Sequence, residues 1–548
     1  MKINVALRIF VLVCFFLLLG IGCVSGATLV VNQTSPACAS SIEYFTSIQA
    51  AVDSANDGDE IVVCPGTYEE NINITKSISI KSHSCSSDTI IGAKNINDNI
   101  ITITANKVII SGFTIRNSEA EGIYMEYVDG CNISENNVYS TRNGIRLFLS
   151  DYNKICYNTV NFNNESGIFL ESSNDNLILN NTANSNKQFH GIELNSSNSN
   201  DVMDNNASSY MRVGNALEQS NNNILRENIV NLNKQYPGIG IEIFNSNNVT
   251  IQDNTANSNK MNGIELSSSN NDVLIDNNAS NNIQCGIGLF SSCNNSIKGN
   301  TANSNGYGIS LSSSDNNIII DNNASKNHYQ GIDLMFSNGN EIFNNALKSN
   351  RINGAYLINS NCNIIENNKA TNNVDYHGLS LDSNCNHNTI IGNNLSNNRR
   401  NGIHLFYSDN NTIRGNIANL NEQFYGINLE FSNNNAIIAN NASKNSRCGI
   451  RLLNSSNNTL RGNIAKSNKQ VHGILLFLSK NNDIIDNDVS YNFDTGIALF
   501  DSDGNTIRGN IANSNKQNYG IYLGSSNNTI TPSKTYHSAS ICNCFFSL

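Results

Sequence analysis

Two groups of residues in this 548-residue chain have the types and spacing for metal chemistry. The first is Asp253 with Asp276, which occupy equivalent places in neighbouring units of a repeat. Carboxylates stacked in this way repel unless a cation sits between them. A calcium-like ion wants several converging oxygens, and neighbouring Asn carbonyls could supply them, although the next unit has Gly299 and ends the column. The second group is Cys362, His377, Cys385 and His387, with His404 one unit on, the densest gathering of soft donors in the chain. Imidazole and thiolate are the ligands that copper prefers. His190, His377 and His472 each precede a repeat glycine but lie several units apart, so one ion cannot bridge them. The acidic run Asp57-Gly58-Asp59-Glu60 reads as a solvated turn. No catalytic residue is assigned, and calcium or copper at the places just named is the only cofactor the residues suggest.

The elements that position these residues are repeats. The unit reads Gly-Ile-x-Leu-x-x-Ser-x-x-Asn-x-Ile-x-x-Asn-x-Ala-x-x-Asn and opens at glycines from Gly122 to Gly520, nearly always 22 to 24 residues apart. The one larger gap, Gly214 to Gly240, contains Tyr236-Pro237-Gly238 and predicts a bulging loop. Within a unit, Ile264 and Leu266 alternate with Glu265 and Ser267, the period-two pattern of a strand. The apolar runs are too short for amphipathic helices, and Asn tolerates the left-handed backbone that tight corners need. Asn is roughly a fifth of all residues, so stacked Asn ladders along an axis are expected. One repetitive architecture explains the composition better than several globular domains. Each unit then forms one coil of three short strands that stacks in parallel on the next. At about 4.8 Å per coil the whole makes a rod on the order of 100 Å long.

The ends differ from the middle. Residues 1–26 read as a signal peptide: Lys2 and Arg8 precede an apolar run from Ile9 to Ile21, and Val24-Ser25-Gly26 follows. Residues 27–121 form an N-terminal cap and the first coils, with a short amphipathic helix over Ser47 to Ala55. Residues 122–530 are the repeats, and 531–548 an irregular tail. Export permits disulfides. A Cys38–Cys64 bridge is expected near the start, although spacing does not dictate connectivity. Cys362 and Cys385 sit in matching Asn-Cys-Asn contexts and are expected to stack on neighbouring coils. The net charge of −11 excludes a nucleic-acid partner, which needs a basic face. No second apolar stretch long enough to span a membrane follows the leader.

These features resemble the pectin-lyase-like superfamily of right-handed parallel β-helices. Ser47 to Tyr68, with Ile48-Gln49-Ala50-Ala51-Val52 and Val63-Cys64-Pro65-Gly66-Thr67-Tyr68, is similar to its N-terminal cap and first coil. The Gly-Ile-x-Leu and Asn-Asn-x-Ile repeats are similar to the NosD family of periplasmic copper-binding β-helix proteins and to large archaeal and bacterial surface proteins. The resemblance implies an all-β, single-stranded right-handed β-helix with a short capping helix, and an exported location. Polysaccharide hydrolases of the superfamily share Asn-Thr-Asp, Asp-Asp and Gly-His-Gly motifs, and none of these is present. A fold of this kind hosts many functions.

Three functions follow as expectations. The leading one is a non-catalytic exported or cell-surface protein that binds glycan or another envelope component, or acts as a spacer. It rests on a near-uniform repeat in which no coil carries a distinct polar cluster. Tyr307, Tyr425 and Tyr519, with Phe406, Phe431 and Phe477, are candidate sugar-stacking rings. The second is a polysaccharide lyase, hydrolase or epimerase with an atypical site near Tyr236-Pro237-Gly238 or Asn384 to Asn388. The third is a copper-delivery accessory.

Overall fold

A computed structural model describes residues 26–33, 38, 44–186, 189–209, 212–234, 236–469, 471–516, 519–531 and 541–543. The expected signal peptide lies outside the described residues, apart from Gly26. The chain winds as a right-handed parallel β-helix of about twenty coils. Each repeat places its Gly-Ile-x-Leu segment on one flat, the front, as in Ile264–Ser267 and Ile403–Phe406. Its x-Ile-x segment forms a second flat, as in Val273–Ile275 and Thr412–Arg414. The third flat has strands in the early coils, such as Gly66–Glu69 and Asn137–Tyr139. From Thr182 onward it narrows to one bridging residue per coil, running through Asn206, Thr255 and Thr301 to Ile511.

The register keeps like on like. Ile264 pairs with Ile287 and Leu266 with Leu289, so the inward residues form apolar columns, broken on the front by Asn215. The polar interior is equally ordered. Asn254 donates its backbone N–H to Asn277 Oδ1 at 2.9 Å. Asn277 Nδ2 in turn reaches Ile251 O at 2.8 Å and Asn300 Oδ1 at 2.9 Å. A serine column behaves likewise: the Ser337 amide donates to Ser360 Oγ at 3.0 Å, and that hydroxyl donates to Ile358 O at 2.9 Å. Buried amides cost little when every donor and acceptor is met, which is why the chain is so rich in Asn. The corners are residues with positive φ, among them Asn248 (58°), Asn410 (58°) and Asn457 (61°). The repeat glycine is needed for close approach: a Cβ at Gly402 would lie 2.6 Å from Ala418 Cβ and 2.8 Å from Gly426 O.

The cap is the expected helix, Ile48–Ser54, with Ser47 Oγ accepting the Ala50 N–H at 3.1 Å. Charged side chains from the following coil hold both ends. Glu70 accepts the Ile48 and Gln49 N–H groups, each at 2.9 Å. Lys76 Nζ donates to the carbonyls of Val52, Asp53 and Ala55 at 3.2, 2.7 and 2.6 Å. Both signs suit the helix dipole. The acidic run after the helix is not a solvated turn throughout. Asp59 is buried and accepts the N–H groups of Asn56 (2.8 Å) and Ala27 (2.7 Å), and these bonds hold its carboxyl below the usual range. Cys38 and Cys64 are bonded, with Cα atoms 5.6 Å apart. In the tail, read from sequence as irregular, Ile541–Asn543 pairs in parallel with Ile521–Gly524 and extends the front sheet by one strand.

Candidate functional site

The outward residues of the front sheet form columns, one residue per coil. One column runs Asp333, Tyr356, Ser380, His404, Asn428, Arg451, and its neighbour Met335, Ile358, Asp382, Phe406, Glu430, Leu453. Beside them, just before each repeat glycine, come Asn353, His377, Asn401 and Tyr425, linked by side-chain-to-backbone bonds. Asn353 Oδ1 accepts the His377 N–H at 3.0 Å, His377 Nδ1 accepts the Asn401 N–H at 3.1 Å, and Asn401 Oδ1 accepts the Tyr425 N–H at 3.1 Å.

Where these columns meet, coils from Asn353 to Leu453 carry a cluster of rings and ionisable groups. The His377 and His404 rings lie 4.7 Å apart. His404 stacks toward Phe406 at 6.3 Å, and Tyr407 stacks on Phe431 at 4.8 Å with planes 9° apart. Tyr356 donates its hydroxyl to Asp382 at 3.2 Å, and Arg451 reaches Glu430 at 2.7 Å. Burial holds His377 well below the ordinary histidine range, helped by His404 and Arg400. Burial lowers His404 as well, against the pull of Glu430 and Asp382. Asp333 is pushed up to about 7 by burial. The face therefore combines imidazoles held neutral and a hydrogen-bonded phenol with a buried carboxyl raised to about 7. No coil contributes more than three of these residues, so no single repeat stands out; the cluster forms between coils.

The soft-donor group separates. Cys385 takes the place of the ladder serine: the Ser360 amide donates to its sulfur at 3.5 Å, and its own amide donates to Ser408 Oγ at 3.3 Å. Cys362 instead occupies the exposed corner that His387 fills one coil later, both with φ of 58°. The two cysteines therefore do not stack. Asn359 in one coil is matched by both Ser383 and Asn384 in the next, each with positive φ, and that extra residue shifts the Asn-Cys-Asn contexts out of step. His377 lies on the front face with His404. Among the described residues no three His, Cys, Asp or Glu side chains converge to hold a metal ion.

Asp253 and Asp276 do occupy equivalent corners, with φ of 55° and 53°. Asp253 accepts a bond from Gln252 Nε2 at 2.9 Å. The Asp276 carboxylate leans over Gly299, filling the space a Cβ would need. Gly299 thus makes room for Asp276 rather than merely ending the column. Of the other rings, Tyr425 packs under Arg451 (5.1 Å), Tyr307 against Tyr329 (4.8 Å) and Tyr519 against Tyr522 (5.9 Å), while Phe477 sits in register between Leu453 and Phe500. In the loop before Gly240, the Tyr236–Pro237 peptide is cis and Tyr236 is exposed.

The stacked coils, capping helix and patterned front sheet define a right-handed parallel β-helix repeat protein. The chain belongs to the NosD family, described as periplasmic copper-binding protein, whose model matches residues 55–206, 184–301, 289–423 and 398–532. A cell surface glycoprotein of Methanothermus fervidus is 46% identical over 96 residues, which is 17% of this chain and 16% of that protein. Similar solved structures include the A-module of the Azotobacter vinelandii mannuronan C-5 epimerase AlgE6 (15% identity, TM-score 0.32, 63% of this chain and 88% of that one). Others are the pectate lyase Pel9A (14%, 0.32, 52% and 80%) and the periplasmic alginate epimerase AlgG (13%, 0.27, 89% and 84%). Overlaps this low carry nothing about chemistry. Copper, which the family description implies, does not fit the donors among the described residues: Cys385 is turned into the core with its sulfur on Asp382 O at 3.2 Å, and no third His, Cys, Asp or Glu among them joins His377 and His404 to hold an ion. Among the described residues no helix is long and apolar enough to cross a membrane.

Proposed function

We propose that this chain is an exported, cell-surface member of the NosD family that binds glycan along its front sheet without transforming it, the rod holding that face away from the envelope. The observation that carries this reading is the ring cluster of His404 and Phe406 on the front sheet with Tyr407 and Phe431 at its corner, backed by buried His377. Rings laid along a rigid surface suit the apolar faces of sugars, and neighbouring polar groups suit their hydroxyls. The surface glycoprotein with which it shares a segment supports the location. Incubation of the purified protein with a panel of polysaccharides tests it. Retention of at least one polymer with no change in its chain length or sugar composition is expected, and depolymerisation or epimerisation overturns it.

A second reading is favoured by one observation. Tyr356 with Asp382, neutral His404 and Asp333 near neutrality supply acid and base groups on the same face. A lyase acting there would cleave a polymer of the same panel to unsaturated ends, and an epimerase would leave the chain intact with inverted uronates.

A further inference from the structure

Along the edge of the front sheet, two residues before each repeat glycine, Tyr376, Arg400, Phe424 and Arg447 stack in successive coils. The Arg400 amide donates to Tyr376 O at 2.9 Å and the Arg447 amide to Phe424 O at 3.0 Å, which fixes the register. The side chains alternate cation and ring. The Arg400 guanidinium lies 4.0 Å from the Tyr376 ring centre and 5.9 Å from that of Phe424, and Arg447 lies 4.7 Å from Phe424.

A comparison within the molecule shows what is unusual. Near the N-terminal end Arg146 is also held between rings, Tyr124 at 5.7 Å and Phe169 at 5.4 Å. There Glu171 pairs with it at 2.5 Å and buried Glu121 at 3.2 Å, so the charge is neutralised. Arg400 and Arg447 have no carboxylate partner among the described residues. In a chain of net charge −11, two guanidinium groups are thus fixed on rings and left without counter-charge beside the ring cluster of the front face.

We propose that the Tyr376–Arg400–Phe424–Arg447 ladder binds the anionic groups of an acidic glycan laid along the rod axis. This rests on the glycan-binding reading and names the ligand class. Guanidinium presents a planar donor fork that matches carboxylate and sulfate alike. Stacking on a ring orients that fork, and the two arginines lie two coils apart, about 10 Å. The sugar rings would run over Tyr376 and Phe424 toward His404 and Phe406.

The test is affinity electrophoresis of the full chain in gels cast with polygalacturonate, chondroitin sulfate or neutral dextran. One or both acidic polymers should retard the protein, and dextran should do so at least tenfold less. Retardation should weaken with added salt. The double variant Arg400→Gln/Arg447→Gln should lose at least tenfold in affinity for the acidic polymer. Arg400→Lys/Arg447→Lys should keep part of it, and Arg414→Gln/Arg461→Gln, on the second flat, all of it. Polygalacturonate carries carboxylates alone and chondroitin sulfate carries both groups, so retardation by the first shows carboxylate recognition and retardation by the second alone shows that sulfate is required. Equal binding of dextran, or an unaffected Gln double variant whose melting matches wild type, overturns this inference and leaves the glycan reading standing. If no polymer binds, both fall.

Discussion

The rings of His377 and His404, in successive coils, lie 4.7 Å apart and tilted by 32° with the His377 Nδ1 capping the Asn401 N–H. Burial keeps both imidazoles neutral. A buried neutral histidine binds a proton more readily once unfolded, where its pKa is about 6.5. Its contribution is therefore complete above that pH and is lost as pH falls below it, by up to about 1.4 kcal/mol per pH unit. The difference in melting temperature between wild type and His377→Gln should shrink on going from pH 7.5 to 5. A constant difference would show that His377 does not titrate in this way.

Asp272 replaces the ladder asparagine of its coil. Its Oδ1 accepts the Val249 N–H at 2.7 Å, while its buried Oδ2 has no partner, and burial pushes its carboxyl from 3.8 up to about 7. A raised carboxyl stabilises fully below its unfolded pKa, and that stability is lost as pH rises toward 7. Asp272→Asn restores a donor such as the one Asn295 Nδ2 directs to Ser269 O at 3.1 Å. The variant should be more stable above pH 7, by up to about 4 kcal/mol, with the gain fading toward pH 4. Denaturant melts at the two pH values decide it.

Asn215 stands in the apolar front column between Ile192 and Ile241, fully buried, with neither amide atom hydrogen-bonded. Two orphaned polar atoms in a dry column cost about 2 kcal/mol or more. Asn215→Ile should raise the melting temperature. A lower one would mean that the site cannot take the larger side chain.

Lys76 closes the capping helix on three carbonyls. Lys76→Met keeps the aliphatic stem and removes the donors, and should cost about 1 kcal/mol, confined to the cap. Hydrogen exchange should speed up over residues 48–54 and remain unchanged beyond the first coils.

The fold was legible because its determinants repeat: period-two apolar residues, a glycine every 22 to 24 residues and Asn at fixed offsets. The capping helix was readable from Ser47 and the apolar spacing after it. The front-face cluster was legible only in part: His377, His404, Phe406 and Phe431 stand out as residue types, but their meeting is a relation between coils. His377, His404 and Phe406 are brought together by register, and a one-residue difference at the Ser383-Asn384 corner is enough to misplace Cys362 against Cys385. The alternation of Tyr376, Arg400, Phe424 and Arg447 sits at one fixed offset, two residues before each glycine, and is invisible within any single repeat.

The asparagine ladders have a consequence for how such a chain can change. Each coil's interior amides are met within the coil itself or by the coils directly above and below. Coils can therefore be inserted or deleted in register and the new junction finds matching partners, as a zip closes over a removed tooth pair. Genes built this way can lengthen or shorten freely in most of the rod. The exception is the stretch from Tyr376 to Arg451, where losing one coil would part the His377–His404 pair and the Arg400 contacts with Tyr376 and Phe424.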